Sequence, residues 1–249
     1  MPETWTPLLI GIVGTCVFLY GFSKTAMPVA GVLAGPLLAA TLGATTASGF
    51  VMPLLLIADL FALARYRQHA NWPLILRLIP GVLLGILLTA LLFRFVDTQT
   101  LGRVIGVLIL ASVALEVWRR RFPRQEGDTP PNKLVVGFFG TLAGMTTMAA
   151  NAGGTAMTLY LINMRATMLA FMGTFAWFFF VLNAIKVPIL VGLGFLNAET
   201  LLAGLWFVPV VVAGALVGYG IFRRMNERVF TNVALSLSAV ASIWLILHG

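Results

Sequence analysis

The chain alternates long apolar runs with short polar clusters, and the runs have helix lengths. Apolar stretches occupy 5–22 and 29–42, then 46–64, 74–96 and 101–118. A polar stretch covers 119–133, with Arg119-Arg120-Arg121, Pro123, Arg124, Gly127 and the Pro130-Pro131 pair. Apolar stretches resume at 134–150 and 155–164, then 166–191, 199–222 and 229–247. A helix crossing a bilayer needs about 20 residues. The arms at 5–22 and 29–42, and those at 134–150 and 155–164, are read as shorter than that. Glycine, proline and polar residues interrupt both pairs. The pattern predicts an all-α integral membrane protein in which each half holds one broken-helix hairpin and three transmembrane helices. The first repeat is 1–122, with its hairpin at 5–43. A linker follows at 123–133, and the second repeat is 134–249, with its hairpin at 134–164.

Weak internal matches support the division. Gly14-Thr15 matches Gly140-Thr141 at an offset of 126, and Pro80, Gly85 and Phe93-Arg94 match Pro209, Gly214 and Phe222-Arg223 at an offset of 129. Asp59 falls near Lys186 at an intermediate offset. A hairpin plus three spans crosses an odd number of times, so the halves are expected to have inverted topology. Inverted repeats with discontinuous helices near the midplane are the common build of a secondary transporter.

Composition sharpens the class. Hydrophobic residues make up 60% of the chain and charged residues 10%, against about 25% charged in soluble domains; the mean hydropathy is +0.99. The net charge of +8 is not a nucleic-acid signal, because the basic residues gather at segment ends, as topology signals do. If each broken pair enters and leaves on one side, Arg65, Arg67, Arg77, Arg119, Arg120, Arg121, Arg124, Lys133, Arg165, Arg223, Arg224 and Arg228 share one face. Arg94 and Arg103 then take the other. Single crossings would scatter these charges, so the hairpin model is preferred and both termini are expected outside the cytoplasm. The start of the chain lacks the basic region of a signal peptide, so the first run is read as retained. One cysteine, Cys16, gives neither an internal disulfide nor a metal motif. His69 and His248 are isolated. No metal, cofactor or nucleotide motif is expected.

The chemistry concentrates at the breaks. Lys24 lies in Gly21-Phe-Ser-Lys-Thr-Ala-Met-Pro28 and Lys186 in Asn183-Ala-Ile-Lys-Val-Pro188. A cation inside a bilayer costs from about 3 to more than 10 kcal/mol and is a functional candidate by default. An interrupted helix leaves N–H groups unpaired at the start of its second half, and these with the helix dipole attract an anion. The first break offers Ser23, Lys24 and Thr25. The second offers Thr146, Thr147, Asn151, Gly153 and Gly154. Asn183 lies one turn before Lys186, on the same helix face. This donor-rich, cationic set suits a small oxyanion such as a sulfite, sulfonate or carboxylate. Each feature also has a plain reading: the lysines snorkel to an interface, the Gly-Gly pair permits tight packing, and Asn183, Ser48 and Thr174 join helices by hydrogen bonds. Most of the Trp177-Phe-Phe-Phe180 run is expected to pack or face lipid, with lining of the substrate path by one face as the alternative. Asp59 is the one acid well inside a span. It pairs with a lysine or with Arg65, or it carries a coupled proton; both readings stay open.

At these residues the chain resembles the sulfite exporter TauE/SafE family. The resemblance rests on the Gly21–Pro28 motif, Pro53, Ala58-Asp59, Tyr66-Arg67, Trp72, Asn151-Ala-Gly-Gly154, Gly173-Thr174, Phe178-Phe179 and the Asn183–Pro188 motif. Many members carry a glycine-rich run where this chain has Ser23-Lys24-Thr25. The resemblance implies export or exchange of sulfur-containing or organic anions across a bacterial inner membrane, driven by an ion gradient, a proton or another coupling ion. The partners expected are a small anionic substrate and lipid. An anion channel, or a permease for carboxylates or other small anions, is the competing reading. A membrane enzyme would need a nucleophile with its base or a metal cluster, and no such motif occurs.

Overall fold

The computed structural model describes residues 5–31, 34–92, 95, 98–119, 133–150 and 153–248. Within them every element is helical. Two compact units emerge, and each draws on both ends of the sequence: Met1–Ala70 with Met168–Asn226, and Asn71–Thr167 with Glu227–Gly249. Asn151 and most of the expected linker lie outside the described residues.

The first unit starts with α1, Pro7–Thr25. Thr6 caps it by accepting from the Leu9 N–H at 3.3 Å, and Pro7 occupies the first turn, where a missing N–H costs nothing. The helix runs on through Lys24 and reaches 19 residues, so this arm is long enough to cross a bilayer by itself, contrary to the sequence expectation. It ends ahead of Pro28, which cannot continue an α-helix. A 3₁₀ turn follows at Pro28–Gly31, then the nine-residue α2, Ala34–Leu42, and α3, Ala44–Tyr66. Gly43 joins α2 to α3 at φ 81°, a left-handed backbone that favours glycine. The remaining members are α8, Met168–Gly192, α9, Ala198–Trp206, and α10, Val208–Phe222.

The 199–222 stretch, expected as one helix, is broken at Phe207 and bent by 51°. Pro209 sits in the first turn of α10. It has no N–H to give the preceding turn, and its ring would clash with the carbonyl four residues back.

The second unit holds α4, Trp72–Leu92, α5, Thr98–Arg119, α6, Lys133–Ala150, the short α7, Gly153–Asn163, and α11, Glu227–His248. Among the described residues four helices are long and apolar enough to span a membrane, and a fifth span results if the bent α9–α10 pair counts as one. Outward faces are apolar too: Leu83, Leu87 and Leu91 of α4 are each more than half exposed. Such a stripe suits lipid rather than water.

The helix pairs within each unit pack on small residues. In the first unit Gly21 of α1 meets the Val211 backbone of α10, Gly214 meets Phe18, and Gly218 meets Phe22. In the second, Gly81 of α4 meets Gly140 of α6, Gly85 meets Thr141, and Gly144 meets Val82. Contacts advance along both chains together, so each pair runs parallel. A side chain at these glycines would strike backbone; its absence lets the helices approach closely in a medium that supplies no hydrophobic drive between them. Helices α3 and α8 run antiparallel, with Gly49 against Phe195 and Gly173 against Tyr66.

Candidate functional site

Lys24 closes the last turn of α1 and is 7% exposed, while Asp59 of α3 is 0% exposed. The Lys24 ammonium Nζ lies 2.7 Å from Asp59 Oδ1. The other carboxylate oxygen, Oδ2, accepts from Asn183 Nδ2 of α8 at 2.7 Å. Lys24 Nζ also stands 4.9 Å from the centre of the Phe179 ring, where the ring face attracts a cation. Burying two charges is costly unless the pair is close and its remaining lone pairs are satisfied. Here both carboxylate oxygens are engaged. Of the partners open to Asp59, Lys24 is the one it takes. Arg65 instead lies over the Tyr219 and Phe61 rings, at 4.8 and 5.5 Å.

Lys186 follows Asn183 by three positions on α8 and is partly buried. Its charge and that of Lys24 act on each other. Two cations and one buried carboxylate therefore share this part of the first unit.

Ser23 and Thr25 flank Lys24, and both hydroxyls are spent on backbone. Ser23 Oγ donates to the Tyr20 carbonyl at 2.8 Å, and Thr25 Oγ1 donates to the Ala215 carbonyl of α10 at 2.8 Å. Tyr66 Oη, at the end of α3, donates to the Thr25 carbonyl at 2.8 Å. These bonds fix the α1 terminus against two neighbours and so aim Lys24. Each hydroxyl has one proton, so neither donates to a ligand in this arrangement. Reasoning from sequence gave Tyr66 no role of its own, and took Phe179 as part of a run that packs, faces lipid or lines the substrate path. The signal for Tyr66 was available: a tyrosine ending an apolar helix needs a partner for its hydroxyl once buried.

The second cluster lies in the second unit, at the α6–α7 break. Gly153 and Gly154 open α7 and are buried. Thr147 Oγ1 sits directly over Gly153, in the space that a Cβ would occupy. Thr146 donates to the Leu142 carbonyl at 2.8 Å and lies within 3.0 Å of that of Ala143. The buried hydroxyls of Thr147, Thr155, Thr158 and Thr89 have no hydrogen-bond partner among the described residues. Thr155, Thr158 and Thr89 were not singled out from sequence. Tyr160 Oη donates to the Leu74 carbonyl at 3.0 Å and ties α7 to the start of α4.

The chain matches the family model described as sulfite exporter TauE/SafE over residues 13–245. No curated protein and no solved structure matches it. With nearly the whole length covered, the chain belongs to the sulfite exporter TauE/SafE family. The motif resemblance and the apolar helices agree with that membership, and the protein is a multi-pass membrane protein of a transport family.

Proposed function

We propose that this protein is a secondary transporter that moves a small sulfur-containing or organic oxyanion, such as sulfite, sulfoacetate or another sulfonate, across the bacterial inner membrane by alternating access, in the export direction. The observation that carries the reading is the buried Lys24–Asp59–Asn183 cluster, with Lys186 nearby. Intramembrane charges are expensive and mark substrate or ion paths. With no anion bound, Asp59 neutralises Lys24. An arriving oxyanion offers Lys24 a second partner, and Lys186 and the Asn183 amide are its further donors. Ser23 and Thr25 position Lys24 rather than touch the anion. In the second unit, Thr147, Gly153 and Gly154 are a separate set of proposed anion donors, to which Asn151 is added on sequence alone.

The same cluster supplies a route to coupling. When Lys24 turns to the anion, Asp59 is left as a buried carboxylate with one partner fewer, and a proton is the simplest replacement. Binding of anion and proton are then linked.

An inverted repeat underlies this reading, and helix packing supports it. Aligning Gly85 with Gly214 and Gly144 with Gly21 puts the close contacts of the two parallel pairs in the same register. The register for α1 and α6 is three residues shorter than the sequence offset, and it lays Lys24 on Thr147. Laying Gly49 on Gly173 maps α3 onto α8 and puts Asp59 on Asn183, not near Lys186. The two hydrogen-bonded residues are then mates under the repeat. The gathering of basic residues at one face favours termini on the periplasmic side.

Purified protein in liposomes loaded with sulfite should show saturable counterflow of labelled sulfite. Lys24→Ala should abolish it, and Asp59→Asn should remove its dependence on a pH gradient. Unsaturable conductance in place of counterflow would establish the channel reading; wild-type counterflow in Lys24→Ala would end the assignment of that residue.

A further inference from the structure

The four unpartnered threonines have a local cause. Threonine or serine inside a helix usually returns its proton to a carbonyl one turn back, as Thr146, Ser238 and Ser242 do here. Thr155 stands in the first turn of α7, where no helical carbonyl precedes it. The carbonyl one turn before Thr147 is that of Ala143, already within 3.0 Å of the Thr146 hydroxyl. Thr158 has the Gly154 carbonyl behind it yet makes no bond to it. Thr89 comes one turn after Gly85 on α4, and the parallel packing of α4 on α6 sets that turn beside the one holding Thr147. Buried polar groups without partners are rare in folded proteins and call for an explanation.

The surroundings say what would satisfy them. The Thr147 hydroxyl lies on Gly153 and Thr155 stands in the first turn of α7, with Thr158 one turn further on; unpaired N–H groups and the positive end of the dipole gather at such a helix start. Thr147 Oγ1 takes the space over Gly153 that a side chain would fill, so its hydroxyl stands at the backbone of the helix start. Among the described residues, the buried polar side chains of this unit are all hydroxyls, with no carboxylate and no cation. We propose that Thr147, Thr155, Thr158 and Thr89, with the first N–H groups of α7, form an uncharged oxyanion site that holds a sulfite, sulfate or sulfonate headgroup by hydrogen bonds alone. An ion with three or more oxygens can accept from several donors at once; chloride offers one centre, and a carboxylate only two oxygens. The chemistry rests on this unit by itself, and only the description of the ligand as cargo rests on the transporter reading.

The test uses the purified full chain. Sulfite, sulfate, methanesulfonate, acetate and chloride are titrated by calorimetry, and thermal melting is recorded with and without each anion. The three sulfur oxyanions should bind and acetate and chloride should not. Thr147→Val and Thr155→Val should each weaken sulfite binding about tenfold, the change from losing about 1.4 kcal/mol, while the ligand-free protein melts no lower than wild type. Thr155→Ser, which keeps the hydroxyl, should retain affinity. Thr146→Val, whose hydroxyl is already spent, should bind as wild type. If either valine variant fails to fold, Thr158→Ala with the same titrations decides in its place. Wild-type sulfite affinity in the hydroxyl-deleted variants overturns the site, as does stabilisation by sodium that Thr155→Val abolishes, which would put a cation there. The two readings fail separately. Binding by wild type without counterflow in liposomes leaves the site standing and removes the transport assignment. Counterflow unaltered in Thr147→Val and Thr155→Val does the reverse.

Discussion

The two compact units bury polar groups in opposite conditions. In the first, Lys24, Asp59 and Asn183 are charged or strongly polar, and they hold one another at 2.7 Å. In the second, Thr89, Thr147, Thr155 and Thr158 are neutral and hold nothing among the described residues. The difference follows from cost. An unpaired ion in a low-dielectric interior costs far more than an unpaired hydroxyl, which costs about 1–3 kcal/mol. A fold of this size tolerates a few open hydroxyls and not an open carboxylate. Charged binding groups must therefore have a partner in the unliganded state and exchange it for the ligand. Neutral donors can wait unpaired.

The comparison breaks most readily at Lys24. Lys24→Met should leave Asp59 buried without its counter-charge and destabilise the protein by about 3–5 kcal/mol; a melting curve in detergent reads this. Lys24→Met with Asp59→Asn should recover most of the loss. An unshifted melt in the single variant would mean that the pair is not buried together.

The packing glycines come next, and here the units should behave alike. Gly214→Val and Gly85→Val both drive a side chain into backbone of the adjacent helix. Each should cost about 3 kcal/mol, at the upper end for overpacking because backbone yields little. A large effect in one unit and none in the other would break the correspondence between the two helix pairs. Asn183→Leu removes one donor from the Asp59 carboxylate and should cost about 2 kcal/mol, as expected for a hydrogen bond to a charged group. The smallest effect has the opposite sign. Thr158→Val fills the same volume without an orphan hydroxyl and should stabilise the ligand-free protein by about 1 kcal/mol, whereas removing the Thr25 hydroxyl, which serves Ala215, should destabilise it.

Several of these features were legible along the chain. The membrane class follows from apolar runs and the scarcity of charge. Lys24, Asp59 and Asn183 each stand out as polar residues in apolar surroundings, and Thr147, Gly153 and Gly154 stand out at a break. The broken helix at Phe207 was legible too, in Pro209, yet the run of valines around it reads as one continuous span. Ser23 and Thr25 looked like ligand donors because their spacing from carbonyls of α1 and α10 is not visible in one dimension. Thr155 and Thr158 went unnoticed for the converse reason: threonine in an apolar helix is expected to bond its own backbone, and only the start of α7 and the competition from Thr146 prevent it.

Sequence alone determined that this protein lives in a membrane, that its helices break beside Lys24 and near Gly153, and that Lys24, Asp59 and Asn183 are polar residues in apolar surroundings. Apolar length, proline and glycine act locally, so their effects survive being read one residue at a time. Only the tertiary structure decided that Asp59 takes Lys24 rather than Arg65, that Asn183 completes the pair, and that four threonines keep their protons unspent. Those outcomes depend on distances between helices far apart in the chain, where a displacement of an ångström decides whether a donor is satisfied.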